Sequence, residues 1–346
     1  MTDLTTTAQS LKKIGTVLAV LLIIILLVGA IIFRVKKQEI RPSATPIPIN
    51  PPQIRQDPSQ KSPSTIDFSQ IQSLNIPKEL PAYATDKYNL TDQSVKTLAH
   101  SFGITNPPTV IEEDTHDGKQ YNWESGNSRL TASQTALRYE SKTQTIETKG
   151  SFSQDELLDK ALSFTQKIPV IDKEVTYNSQ KTRYLNISNG RLASASSFEN
   201  AQIVEFSFDK KLSSLPILGQ SPDSNFVKIR MEKNGSISYL SARFFSKFTE
   251  QNLHKVKTQK EATEEVRRGQ GKIIQTLILD ENGQALELFR AQSVDIKTAI
   301  ITNVSLAYFL PSDLGEPIQP IFVFEGNFKK GNETGKVVIY LPALKT

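Results

Sequence analysis

Residues 14–33, IGTVLAVLLIIILLVGAIIF, run twenty positions without a charge, and no other stretch constrains the chain so strongly. At 1.5 Å per helical residue the run reaches about 30 Å, the thickness of a hydrocarbon core. It predicts one transmembrane helix in contact with the lipid bilayer, preceded by a short tail at 1–13. Gly15, Thr16 and Gly29 are tolerated there because each backbone group is satisfied within the segment. The competing reading is a cleaved signal peptide cut near Val28-Gly29-Ala30. The apolar run is longer than the ~7–15 residues of a signal core and continues past that cut.

Charge has to be read by region. Residues 1–41 carry six basic and two acidic side chains, which leaves 35 basic and 34 acidic for residues 42–346. The basic excess therefore belongs to the flank of the apolar run, where it suits lipid head groups, and no basic face argues for nucleic acid. Flank counts alone place the bulk of the chain in the cytoplasm. A long translocated domain overrides such counts, and a chain of 346 residues without a single cysteine suits export where no disulfides are made. The expectation is a single-pass signal-anchor protein of the cell membrane, N-terminus cytoplasmic and the rest extracytoplasmic.

Residues 34–65 form the basic flank and a linker. Seven of the eighteen prolines fall between 42 and 65, among Ser, Thr and Gln, so this segment reads as a semi-rigid spacer of about 70 Å at ~3.1 Å per residue. From Ile66 onward three similar paragraphs follow, at 66–150, 151–250 and 251–346. Each opens with an amphipathic helix: one from Thr91 to Gly103, one behind the Ser153–Glu156 capping box, and one behind the Thr258–Glu261 capping box. Strand patterns then surround the turn pairs Asp117-Gly118, Asn189-Gly190, Asn234-Gly235 and Asn282-Gly283. In the clearest hairpin Val227, Ile229 and Met231 point one way and Lys228, Arg230 and Glu232 the other. Residues 201–208 alternate likewise, with Val204, Phe206 and Phe208 against Glu205 and Ser207. One-sided antiparallel sheets under short helices predict an α+β class built from repeated helix-plus-sheet units.

The helix-then-meander unit resembles PepSY-like modules. The closing pattern, with Leu306-Ala307-Tyr308, the run from Gln319 through Phe322, Phe324 and Glu325 to Gly326, and a final Tyr340-Leu341-Pro342-Ala343, is similar to the C-terminal part of YycH/YycI-type proteins. That resemblance implies a membrane-anchored, non-enzymatic modulator of membrane sensor kinases or envelope processes, with a protein partner in or near the membrane. The long Pro-rich segment and the third unit depart from the family.

Chemistry is sparse. With no cysteine and only His100, His116 and His254, widely spaced, no zinc site is expected. Ser207 and Lys210 fit a Ser-x-x-Lys pattern, but they fall on a strand and no Lys-Thr-Gly accompanies them. Glu112, Glu113, Asp114, His116 and Asp117 lack the loop spacing of a calcium site and read as a solvated hairpin tip. Trp123 reads as core. No catalytic residue, metal or cofactor is expected. Tyr308, Phe322, Phe324 and Glu325 offer either sheet core ending in a carboxylate or an apolar partner groove with a polar handle. The leading reading is a non-catalytic module that binds and modulates another envelope or membrane protein. The alternatives are an adhesive surface module holding a wall polymer and, unsupported by any spacing, a hydrolase.

Overall fold

In the computed structural model the chain divides into two units, Met1–Ile47 and Pro48–Thr346. The described residues are 50–56, 63–112, 118–141, 151–188, 190–222, 226–279, 296–311, 315–331 and 333–345, all in the second unit. The chain there passes through β1 (Thr65–Asp67), β2 (Glu79–Asp86) and helix α1 (Asp92–Ser101). A meander follows, β3 (Thr109–Glu112), β4 (Lys119–Ser125), β5 (Ser128–Ala132) and β6 (Ala136–Ser141). Helix α2 (Gln154–Lys167) leads into β7 (Thr176–Tyr177), β8 (Arg183–Ser188), β9 (Arg191–Ser194), β10 (Ile203–Asp209), β11 (Lys211–Leu212) and β12 (Leu215–Leu218). Strands β13 (Val227–Glu232), β14 (Ile237–Arg243) and β15 (Lys247–Lys255) precede helix α3 (Gln259–Arg267). The last four strands are β16 (Lys272–Leu279), β17 (Thr298–Phe309), β18 (Gln319–Lys330) and β19 (Glu333–Pro342).

Strands hold 49% of the described residues and helices 14%, so the expected α+β class is corrected to a mainly β fold. The reason lies in the pairing. Strands from the three expected units join across their boundaries: β6 pairs with β14, β2 with β15, and β1 runs parallel to β17. The result is a ten-stranded sheet in the order β3-β4-β5-β6-β14-β13-β10-β8-β9, with β7 also on β10. A seven-stranded sheet runs β11-β12-β17-β18-β19-β16 with β1 on β17, and β15 with β2 forms a separate ribbon. The expected series of separate PepSY-like helix-plus-sheet units is not the arrangement found, because the strands pair across the unit boundaries.

The three α-helices among the described residues are short and begin where local chemistry starts them. Thr91 caps α1 by accepting the Ser94 N–H at 3.2 Å. Both capping boxes form: Glu156 Oε2 accepts the Ser153 N–H at 2.8 Å, and Glu261 Oε2 accepts the Thr258 N–H at 2.6 Å. Lys345, 2.7 Å away, and Thr258 together hold the Glu261 carboxyl down to a pKa of about 2. Val95 and Leu98 of α1 and Leu157 and Ala161 of α2 join Val204, Phe206, Val227 and Ile229 of the ten-stranded sheet in one core. Ala262 and Val266 of α3 pack with Phe322, Phe324, Ile339 and Leu341 of the other sheet.

No helix among the described residues is long and apolar enough to cross a membrane. The expected span at 14–33 lies outside the described residues. The single-pass, signal-anchored and extracytoplasmic placement at the cell membrane is accordingly corrected, because no described helix supports it. The Pro-rich segment also differs from a free spacer where it is described. Ile54 is buried against Phe309, Ile321, Val323 and Tyr340, Gln319 Nε2 donates to the Asn50 carbonyl at 2.8 Å, and Thr65 already belongs to β1. An extended chain without ladder bonds of its own can lie across a sheet face as readily as it can reach away from one.

His254 sits buried on β15 with no hydrogen-bond partner for Nε2 among the described residues, and burial lowers its pKa from the usual 6.5. The neutral ring is the form the fold accepts, so the stability His254 contributes is present above the unfolded pKa and is lost as pH falls through the folded one. Urea midpoints measured from pH 7 down to pH 5 are expected to decline in the wild type and to decline less in His254→Leu. Equal slopes would refute this role.

Candidate functional site

The residues singled out from sequence are not assembled into a groove. Tyr308, Phe322 and Phe324 are fully buried, whereas Glu325 is exposed and accepts the Asn303 Nδ2–H at 2.7 Å. Tyr308 belongs to a different cluster from Phe322 and Phe324, lies edge-on to Tyr83 at 5.2 Å, and donates its hydroxyl to the Pro81 carbonyl at 3.0 Å. Phe324 meets Phe68 edge-on at 5.9 Å. These side chains are sheet core, with only the carboxylate at the surface. Trp123 is core as well, stacked on Tyr121.

Ser207 and Lys210 go separate ways. The Ser207 hydroxyl donates to the Lys181 carbonyl at 3.4 Å, while Lys210 pairs with Asp172 at 2.7 Å and with Glu174. Burial pulls the Lys210 pKa down, but the two carboxylates outweigh it and leave the ammonium raised, which is the wrong direction for a general base. Of the acidic run, 113–117 lies outside the described residues, and among the described residues no group of His, Asp and Glu is placed to hold a metal.

Two features of the ten-stranded sheet remain, its polar face and its edges. Sequence alternation suggested a solvated polar face, yet β10 is buried along its whole length. Glu205, only 1% exposed, stands directly opposite Arg183 on β8 and Arg230 on β13. Arg230 Nε donates to it at 2.7 Å, and Lys228 and Arg183 approach to 3.6 and 3.9 Å. The same row continues outward: the Arg230 guanidinium lies 4.4 Å from the Tyr239 ring centre, Tyr239 pairs with Glu140, Glu140 with Arg129, and Arg129 with Glu124. Six charges of alternating sign lie along seven strands, with the neutral Tyr239 on β14 between Arg230 and Glu140, and the long basic stems beside Glu205 cover the carboxylate they neutralise. This face is satisfied internally and offers little apolar area to a partner.

The edges differ from each other. β9 presents an exposed Arg191, and a charge on an edge discourages further pairing. Among the described residues β3 pairs on one side only, with β4, in the register Val110↔Tyr121 and Ile111↔Gln120. Its Val110 and Ile111 are 45% and 41% exposed. Consecutive strand residues point to opposite faces, so β3 shows an apolar side chain on each face of an open edge, with neither Lys nor Pro within it. Sequence reading missed this edge. The only local signal is a short apolar strand behind Pro107-Pro108, and which strand ends a sheet is decided by pairings far along the chain.

No family model matches the chain, and no curated protein matches it. Among solved structures the chain is similar to an uncharacterized protein from Eubacterium rectale, with a TM-score of 0.45 and 12% identity over 80% of this chain and 86% of that one. The expected PepSY-like and YycH/YycI-type likeness finds no support in these comparisons.

Proposed function

We propose that the protein is a non-catalytic binding module that captures an extended segment of another protein by strand addition at β3. The observation that carries this reading is the open edge with Val110 and Ile111 exposed. An added strand satisfies the outward backbone groups of β3 and sets its alternate apolar side chains over Val110 on one face and Ile111 on the other. The occupant is an extended segment and not a second rigid copy. Four residues give an edge of only about 14 Å, too short by itself to bury the ~1,200–2,000 Å² that a stable association of two folded surfaces requires. A flexible segment can pair along β3 and continue over neighbouring surface.

The test is photocross-linking in the native cells from a benzoylphenylalanine placed at 110 and, as a control, at 192 on β9. A single adduct with another polypeptide at 110 and none at 192, lost in Ile111→Lys at an unchanged melting midpoint, is the expected result. Equal adducts at both edges, no adduct, or an adduct of the chain with itself overturns the reading.

A further inference from the structure

At one end of the helices that cover the ten-stranded sheet lies a recess of about 490 Å³, within the size range of small-molecule sites. It is bounded by Phe102 at the end of α1, Phe164 of α2, Tyr139 of β6, and Glu232 and Asn234 at the β13–β14 turn. Phe102 stacks on Tyr139 at 4.7 Å between ring centres and meets Phe164 edge-on at 5.4 Å. The turn is held in place by Gly235, which adopts a φ of 86° and lies so close to Phe152 that an added methyl would sit 2.9 Å from its Cε2.

Glu232 is the unusual member. The alternation of its hairpin predicts a solvated side chain, yet it is 7% exposed, and the Asn234 Nδ2–H reaches its Oε2 at 3.3 Å. Burial raises its pKa above the usual carboxylate value. The C-terminal end of α1, with its partial negative charge, adjoins the same space through Ser101 and Phe102. Among the described residues no Lys or Arg lines the recess. Directly beside it the chain displays the complementary pairing on its own account: the Lys160 ammonium lies 4.3 Å from the Phe152 ring centre.

We infer that this recess is a binding site for an alkylammonium group, with Glu232 as counter-ion and Phe102, Tyr139 and Phe164 as walls. Aromatic faces attract cations, and an under-solvated carboxylate gains most from one that brings hydrogen-bond donors with it. A hard metal ion fits poorly, since it needs six or more oxygen ligands and the walls are rings. The site shares no residue with β3, so the two proposals stand or fall separately.

The experiment is calorimetric and NMR titration of the full chain with n-butylammonium, its neutral analogue 1-butanol, and the peptide Gly-Gly-Lys-Gly-Gly. Saturable binding of butylammonium, at least about tenfold tighter than butanol, is expected. Glu232→Gln is expected to lose about tenfold in affinity with its melting midpoint unchanged or raised, because an amide does not need the solvation a charge does. Phe164→Leu, which keeps the carboxylate, is expected to lose several-fold and serves if Glu232→Gln fails to fold. Binding of the peptide as tightly as butylammonium identifies a protein lysine as the source; binding of the free amine alone identifies a small molecule. Butanol binding as well as butylammonium, the absence of saturation, or full affinity in both variants overturns the assignment.

Discussion

Replacing Glu205 with alanine is expected to cost about 3–5 kcal/mol, enough to leave little of a fold's usual margin. The carboxylate occupies the middle of the ten-stranded sheet at 1% exposure, opposed in register by Arg183 and Arg230 and approached by Lys228 at 3.6 Å. These three basic side chains are themselves only 14–25% exposed. Removing the acid converts an alternating row into like charges held side by side in a medium that screens them weakly. Glu205→Gln keeps the shape and one acceptor oxygen and is expected to fall between wild type and alanine. Urea midpoints at low and high salt check both statements. The alanine variant should recover part of its loss in salt, and a loss below about 1 kcal/mol at low salt would mean the row is ornamental to stability.

The second large effect belongs to the other sheet. Gly326, inside β18, has no room for a side chain: an added Cβ would lie 2.4 Å from the Ile300 carbonyl oxygen and 3.0 Å from Ile301 Cα. Both atoms are backbone of the neighbouring strand β17, where the register shifts between Ile301 and Asn303. A flexible side chain could rotate aside, but a paired strand cannot move without giving up its ladder. Gly326→Ala is therefore expected to cost about 3 kcal/mol or more and to lower soluble yield sharply. Gly331 supplies the contrast, with a φ of 63° and nothing within 4 Å of an added Cβ. There only backbone strain opposes the methyl, and Gly331→Ala should cost roughly 1–2 kcal/mol. Similar losses in the two variants would show that the close approach at Gly326 does not matter.

What sequence made legible was local. The Ser153–Glu156 and Thr258–Glu261 boxes need only residues three apart, and both helices begin there. The Asn234-Gly235 turn and the core-facing side of its hairpin depend on positive φ and on period two, again short-range properties. Errors entered wherever the answer depended on what covers a strand's second face. Glu205 and Ser207 looked solvated because an isolated β10 would leave them so; arching basic stems and neighbouring elements bury them. For Tyr308, Phe322, Phe324 and Glu325 the sequence left sheet core and partner groove both open, although four consecutive apolar residues, Ile321 to Phe324, are what a strand buried on both faces requires. Ile321 and Val323 indeed pack in one cluster and Phe322 and Phe324 in another. The helices drew attention through their clean caps, while the strands that outnumber them carried weaker signals individually. The open edge at β3 and the recess at Glu232 were invisible for the same reason, since each is created by partners remote in sequence.

One edge of β17 is shared by two parallel strands, with Thr65↔Thr298 at its start and Ile217↔Tyr308 near its end. During synthesis β1 leaves the ribosome about 230 positions before its mate. At ~5–20 residues per second that is a wait of roughly 10–50 s, during which neither β1 nor β12 has the strand beside which it belongs. A nascent chain stalled before residue 298 therefore has its earliest strand in hand and nothing to lay it against, which makes completion of the C-terminal hairpins the event that commits the whole sheet.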